Sequence, residues 1–136
     1  MATMNARILI VEDDDPSREL VTFLLEKSGY VILSARDGAA GLRMALEEDP
    51  DLILSDLQMP HVDGYELVRR LVAEPRWRRV PLIAVSAFSM RGDREKALAA
   101  GFDGYFSKPI SPQTFVQEVA EFLPPALRTA ARSPPA

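Results

Sequence analysis

Between Arg7 and Leu123 the hydrophobic pattern changes period again and again. Short continuous apolar runs, Ile8–Val11, Val31–Ser34, Leu52–Ser55, Leu82–Val85 and the weaker Gly104–Phe106, alternate with longer stretches of helical spacing. The short runs are rich in β-branched residues and read as strands buried on both faces of a sheet. The stretches between them predict five helices. The first begins near Pro16 and stops at Gly29, with Leu20, Phe23 and Leu24 on one face; the others span Gly38–Glu48, Gly64–Glu74, Arg91–Ala100 and Pro112–Leu123. Pro16 suits an opening turn, Ser111 before Pro112 suits an N-cap, and Gly29 and Gly101 suit C-terminal stops. Regular alternation of strand and helix implies an α/β fold, a parallel sheet covered on both faces.

Composition narrows this to one domain. The chain has 136 residues, within the range of about 100–200 for a single compact unit. Its 47% apolar and 26% charged residues can form a core. The absence of cysteine excludes disulfides, thiolate metal sites and cysteine nucleophiles. A net charge of −4 argues against general affinity for nucleic acid or an anionic membrane. The start MATMNA has no signal-peptide character, and no apolar run approaches the ~20 residues of a membrane span, so a cytoplasmic location is expected. The proline-rich PPALRTAARSPPA after Leu123 reads as a flexible tail, which places the domain at 7–123 with short tails at 1–6 and 124–136.

Ligands bind beyond the carboxyl ends of the strands in an open parallel sheet. There the first strand runs into Glu12-Asp13-Asp14-Asp15, the third into Asp56, the fourth into Ser86-Ala87 and the fifth into Ser107-Lys108-Pro109. Asp14 or Asp15 can be explained as a cap of the first helix. Asp56 is harder to explain in that way, because it precedes Met59-Pro60 and not directly a helix it could cap. Glu12, Asp13 and Asp56 in one crevice are three like charges, which burial makes costly unless cations offset them. Lys108 supplies one positive charge and a divalent metal two. An all-oxygen donor set suits Mg2+, which commonly binds one or two carboxylates together with a phosphate.

Four segments, ILIVEDDDPSREL, DLILSDLQMPHVDGYEL, the VSA at Val85–Ala87 and FDGYFSKPIS, resemble the motifs of a response-regulator receiver domain, in order and at the right strand ends. The region AFSMRGDREKALAAGFDGYFSKPIS is similar to small stand-alone receivers of the DivK kind. The resemblance implies a flavodoxin-like three-layer sandwich with strand order 2-1-3-4-5. It implies a regulator that is not an enzyme beyond its own phosphorylation and dephosphorylation. Asp56 would accept the phosphoryl group from a histidine kinase or histidine phosphotransfer protein. Asp13, Asp56, the backbone carbonyl of Gln58 and, through water, Glu12 would hold Mg2+. Lys108 and Ser86 would contact phosphoryl oxygens, and Lys108-Pro109 would be cis. Ser86 and Tyr105 would form the switch. The fourth helix, fifth strand and fifth helix would contact a downstream protein, and phosphorylation could drive homodimerisation. Gln58 and Phe88 would tune dephosphorylation, with Phe88 shielding the acyl phosphate from water.

Other features have plainer readings. Arg69, Arg70, Arg76, Arg78 and Arg79 with Trp77 form a basic cluster, but arginines late in a helix suit its dipole, and no nucleic-acid partner is expected. His61 reads as a loop residue, and Met44, Met59 and Met90 as packing. Pro16, Ser17 and Leu20 are candidate contacts for a kinase or phosphotransfer helix bundle. The competing functions are a Mg2+-dependent phosphohydrolase, for which Gln58 stands where a second acid would be needed, and a constitutive interaction scaffold, which would not need the complete acid, serine and lysine set. A flavin module would need a phosphate-cradling loop where the acids lie.

Overall fold

Four short runs rich in Ile, Leu and Val, joined by a fifth of sequence GYFS, form the sheet, and the helices between them supply the cover. The structure, a computed structural model, describes residues 5–59, 61–77, 79–87 and 92–127. The elements are β1 (Arg7–Val11), α1 (Asp15–Lys27), β2 (Val31–Ala35), α2 (Gly38–Glu47), β3 (Leu52–Asp56), α3 (Gly64–Val72), β4 (Leu82–Ser86), α4 (Asp93–Ala100), β5 (Gly104–Ser107) and α5 (Pro112–Ala120), with a 3-10 turn at Pro125–Leu127. All strand pairs are parallel and the order is β2-β1-β3-β4-β5, as expected for a flavodoxin-like sheet.

Alternate strand residues feed two cores. Leu9, Ile53, Leu82 and Ala84 pack with Ala45, Leu67, Leu71 and Ala97 from α2, α3 and α4. On the other face Ile8, Ile10, Leu54 and Ile83 pack with Val21 and Leu25 of α1 and Phe115 and Val119 of α5. Leu54 is 2% exposed at the centre of the sheet. Leu54→Ala is therefore expected to lower the unfolding free energy by about 2–5 kcal/mol, measurable by urea denaturation.

Several boundaries and faces differ from the sequence expectation. Four strands run one residue beyond their apolar runs, so that Ala35, Asp56, Ser86 and Ser107 are the last residues of their strands. A polar side chain does not end a ladder while the neighbouring backbone still offers partners, as where Asp56 pairs with Val85. β2 is not buried on both faces: Val31 is 41% exposed because β2 is an edge strand. On α1 the buried stripe is Arg18, Val21 and Leu25, whereas Leu20 and Phe23 face out, 43% and 59% exposed. α3 and α5 end before Glu74 and Leu123, and tighter turns carry the chain on, with Phe122 and Leu123 donating to Val119 and Ala120 three residues back. Gly29 and Gly101 take φ of 97° and 121° at their helix ends, as a C-terminal stop requires. Ser111 occupies the N-cap of α5, but its hydroxyl bonds Gln113 and not the helix backbone.

Candidate functional site

A parallel sheet brings every carboxyl strand end to one edge, and the polar residues that follow the apolar runs meet there. Glu12 leaves β1, Asp56 ends β3, Ser86 ends β4, and Lys108 follows β5. Glu12 and Asp56 are each 6% exposed and Ser86 is fully buried. Lys108 Nζ donates to Glu12 Oε1 at 2.7 Å and lies 3.6 Å from Asp56 Oδ2. The other Glu12 oxygen accepts from the Asp14 N–H at 3.2 Å. Asp56 Oδ1 accepts from the Gln58 N–H at 3.1 Å, and Ser86 Oγ donates to Gln58 Oε1, also at 3.1 Å. The Lys108 N–H donates to the Ser86 carbonyl at 2.8 Å, and the Lys108–Pro109 bond is cis.

The electrostatics follow from this packing. Burial, and then contact with Asp56, hold the Glu12 carboxyl above the usual range, against the opposing pull of Lys108. Burial also acts against the Lys108 charge, but the bond to Glu12 and the field of Asp56 outweigh it and raise the ammonium above its ordinary value. Glu12, Asp13 and Asp56 each offer a carboxylate oxygen, all within 4.8 Å of one another, and Asp13 is exposed at the rim. Opposite ligands on Mg2+ lie about 4.2 Å apart, given bonds of about 2.1 Å. The cluster thus fits a small hard cation with at most slight contraction. Both Glu12 oxygens already have partners, so that residue fits contact through water.

Two supports lie outside the sequence expectation. Arg18, 8% exposed on the inner face of α1, donates from its guanidinium to the Glu12 carbonyl at 2.9 Å and to Asp15. It braces the acidic loop from beneath; its only signal in the sequence is its place three and seven residues before Val21 and Leu25. Gly64 opens α3, where an added Cβ would stand 2.6 Å from the Asp56 carbonyl oxygen, so glycine alone permits that close approach. Asp14 caps α1 through the Ser17 N–H at 2.9 Å, and hydrogen bonding from the Ser17 side chain, then from that N–H, holds its carboxyl below the usual range.

A family model described as "Response regulator receiver domain" matches residues 8–120. The chain belongs to the response-regulator receiver family. It is similar to the "Polar-differentiation response regulator DivK" of Brucella ovis, 40% identical over 120 residues that cover 88% of this chain and 98% of that one. Among solved structures, the receiver domain of the sensor histidine kinase PA1611 from Pseudomonas aeruginosa is 33% identical with a TM-score of 0.79, covering 88% of this chain and 98% of that one. That structure has magnesium coordinated in its active-site cleft. The chemotaxis protein CheY4 of Vibrio cholerae is 27% identical with a TM-score of 0.81, over 88% of this chain and 100% of that one. Receivers are in general signalling proteins without an enzymatic activity on other molecules, and they interact with histidine kinases or phosphotransfer proteins.

In this receiver the other candidates fall as follows. Tyr105 is half-buried on β5 against the core beside α3 and α4. Phe88, Met90 and Arg78 lie outside the described residues. His61 is an exposed loop residue at φ 66°, and Met59 and Met44 pack on the core. Glu66 pairs with both Arg69 and Arg70, Glu74 with Arg76, and Asp103 with Arg79, so acids offset these arginines. Ser17 and Leu20 line a groove of about 430 Å³ with Ala87, Lys108, Pro109 and Ile110; Pro16 is exposed nearby on α1. Among the described residues no helix is long and apolar enough to cross a membrane.

Proposed function

We propose that Asp56 accepts a phosphoryl group from the phosphohistidine of a histidine kinase or phosphotransfer protein, and that the receiver then changes its protein contacts or passes the group on. The observation that carries this is Asp56 itself, a nearly buried carboxylate 3.6 Å from an ammonium and grouped with two further acids. An Asp56 oxygen forms a bond to phosphorus as the phosphorus–nitrogen bond breaks, and the electron pair leaves with the imidazole. Asp13, Asp56, the Gln58 carbonyl and, through water, Glu12 would hold Mg2+, which when bound supplies neutralising charge for the transferring group. Lys108 can turn a proton toward a phosphoryl oxygen from its present bond to Glu12, and Ser86 can donate to another. The added charge and acceptor oxygens then bias Ser86 and Tyr105 between two arrangements.

This reading places the receiver unit at 7–123, in the cytoplasm, with no nucleic-acid partner. The groove over Lys108, lined by the exposed Leu20 together with Pro109 and Ile110, suits an apolar partner helix that delivers the phosphohistidine. A second groove of about 270 Å³, which includes Tyr105, Ser107, Ile110, Thr114 and Glu118, lies between β5 and α5 and suits the downstream protein or a second copy. The test is incubation with a small phosphodonor, read by intact mass. One labile phosphoryl adduct is expected with Mg2+ and none with chelator; no adduct in Mg2+ would favour a constitutive scaffold. Mg2+ at a hundredfold excess over its dissociation constant is expected to stabilise the fold by about 2.7 kcal/mol, and Asp13→Asn to remove most of that gain in thermal unfolding.

A further inference from the structure

The hydroxyl of Ser86 is fully buried beside Asp56, and it donates to Gln58 Oε1 at 3.1 Å. A hydroxyl has one proton to give. Ser86 therefore cannot donate to a phosphoryl oxygen while that bond stands. Gln58 holds the site from both sides, since its backbone N–H binds Asp56 Oδ1 at 3.1 Å while its side chain takes the Ser86 proton. The residue is otherwise exposed, so its amide can be rehydrated once Ser86 turns away.

We infer that Gln58 is a positioning residue, a latch that keeps the Ser86 hydroxyl committed in the unphosphorylated protein and must release it before Ser86 can bind the phosphoryl group. The inference rests on the reading that Asp56 accepts that group. Gln58 thus has a side-chain role separate from the metal-binding role proposed for its backbone carbonyl. Ser86 exchanges its bond to Gln58 for one to the phosphoryl group, and what the latch adds is the free energy of one protein hydrogen bond that a phosphoryl group must replace. Removing the acceptor should make the phosphoryl-bound state easier to reach. A role for Gln58 only in admitting water or in packing would not depend on Ser86.

The full chain in Mg2+ is titrated with beryllofluoride, a tetrahedral stand-in for a phosphoryl group on a carboxylate, and affinity is read by calorimetry. Gln58→Met keeps the side-chain length without a strong acceptor and is expected to tighten binding roughly three- to tenfold. In a Ser86→Ala background the same substitution is expected to change affinity by less than about twofold. Ser86→Cys, a poor donor, takes the place of Ser86→Ala if that variant does not fold. Equal tightening in both backgrounds, or no tightening in the first, overturns the latch while leaving Asp56 as the acceptor. Failure of the wild type to bind beryllofluoride in Mg2+ overturns the reading of Asp56 and the latch with it.

Discussion

Asp56→Asn is expected to take up no phosphoryl group and yet, in chelator, to unfold at a higher temperature than the wild type. The loss follows from removing the nucleophilic oxygen. The gain in stability follows from charge: Asp56 shares a crevice with Glu12 and Asp13, their oxygens within 4.8 Å, with the ammonium of Lys108 as the cation bonded there among the described residues. One such pair of like charges interacts by about 3 kcal/mol at an effective dielectric constant of about 20. Lys108 and solvent at the exposed Asp13 offset much of this, leaving an expected gain of about 1–2 kcal/mol, or several degrees in midpoint for a domain of this size. Burial, and then contact with Asp56, hold the Glu12 carboxyl above the usual range, and the repulsion is full only where Glu12 is ionised. It shrinks as pH falls through that raised value. Mg2+ should narrow or reverse the difference, since it stabilises the wild type more. A midpoint below wild type in chelator would show that the carboxylates are compensated without metal.

Lys108→Ala carries the opposite sign. Its ammonium is the side-chain cation bonded to Glu12, whose side chain is only 7% exposed. Without it, one Glu12 oxygen keeps the Asp14 N–H, and the other, beside Asp56, loses its bond of 2.7 Å. The expected cost is about 1–3 kcal/mol in urea denaturation. This is less than for a fully buried pair, because Lys108 is 19% exposed and Glu12 can take up a proton. The rate of adduct formation should fall about 10²–10³-fold, the usual effect of removing one donor aimed at developing charge. Lys108→Arg should recover little of it, because a guanidinium is longer and planar where a compact ammonium fits between two acids. A fall of less than about tenfold would mean that Lys108 is a structural counter-ion and not part of the phosphoryl site.

The same physics explains what the sequence disclosed. Strand ends converge in any parallel sheet, so Glu12, Asp56, Ser86 and Lys108 could be placed together once the alternation of periods was seen. The Asp14 cap was readable because capping depends only on neighbours within one turn. The orientation of α1 was not, since Leu20, Phe23 and Leu24 and the true stripe of Arg18, Val21 and Leu25 both satisfy helical spacing. Only the packing against β1 and α5 chooses between them, and it leaves Phe23 outside with Lys27 over its ring. An arginine on a buried face runs against the hydrophobic pattern, and its reason, the Glu12 carbonyl, is a backbone atom that no pattern marks. The Gln58–Ser86 bond joins residues 28 apart in the sequence and depends on the β3–β4 register, in which Asp56 stands beside Val85.

The central claim is that the phosphoryl group resides on the Asp56 carboxylate. An acyl phosphate is reduced by borohydride to an alcohol, which converts an aspartyl phosphate into homoserine in place. The chain is incubated with a small phosphodonor and Mg2+, reduced, digested and sequenced by mass spectrometry. Homoserine at position 56, absent when the donor or Mg2+ is omitted, is the predicted result. Homoserine at position 13, or an adduct on His61 or a serine with position 56 unchanged, would contradict it.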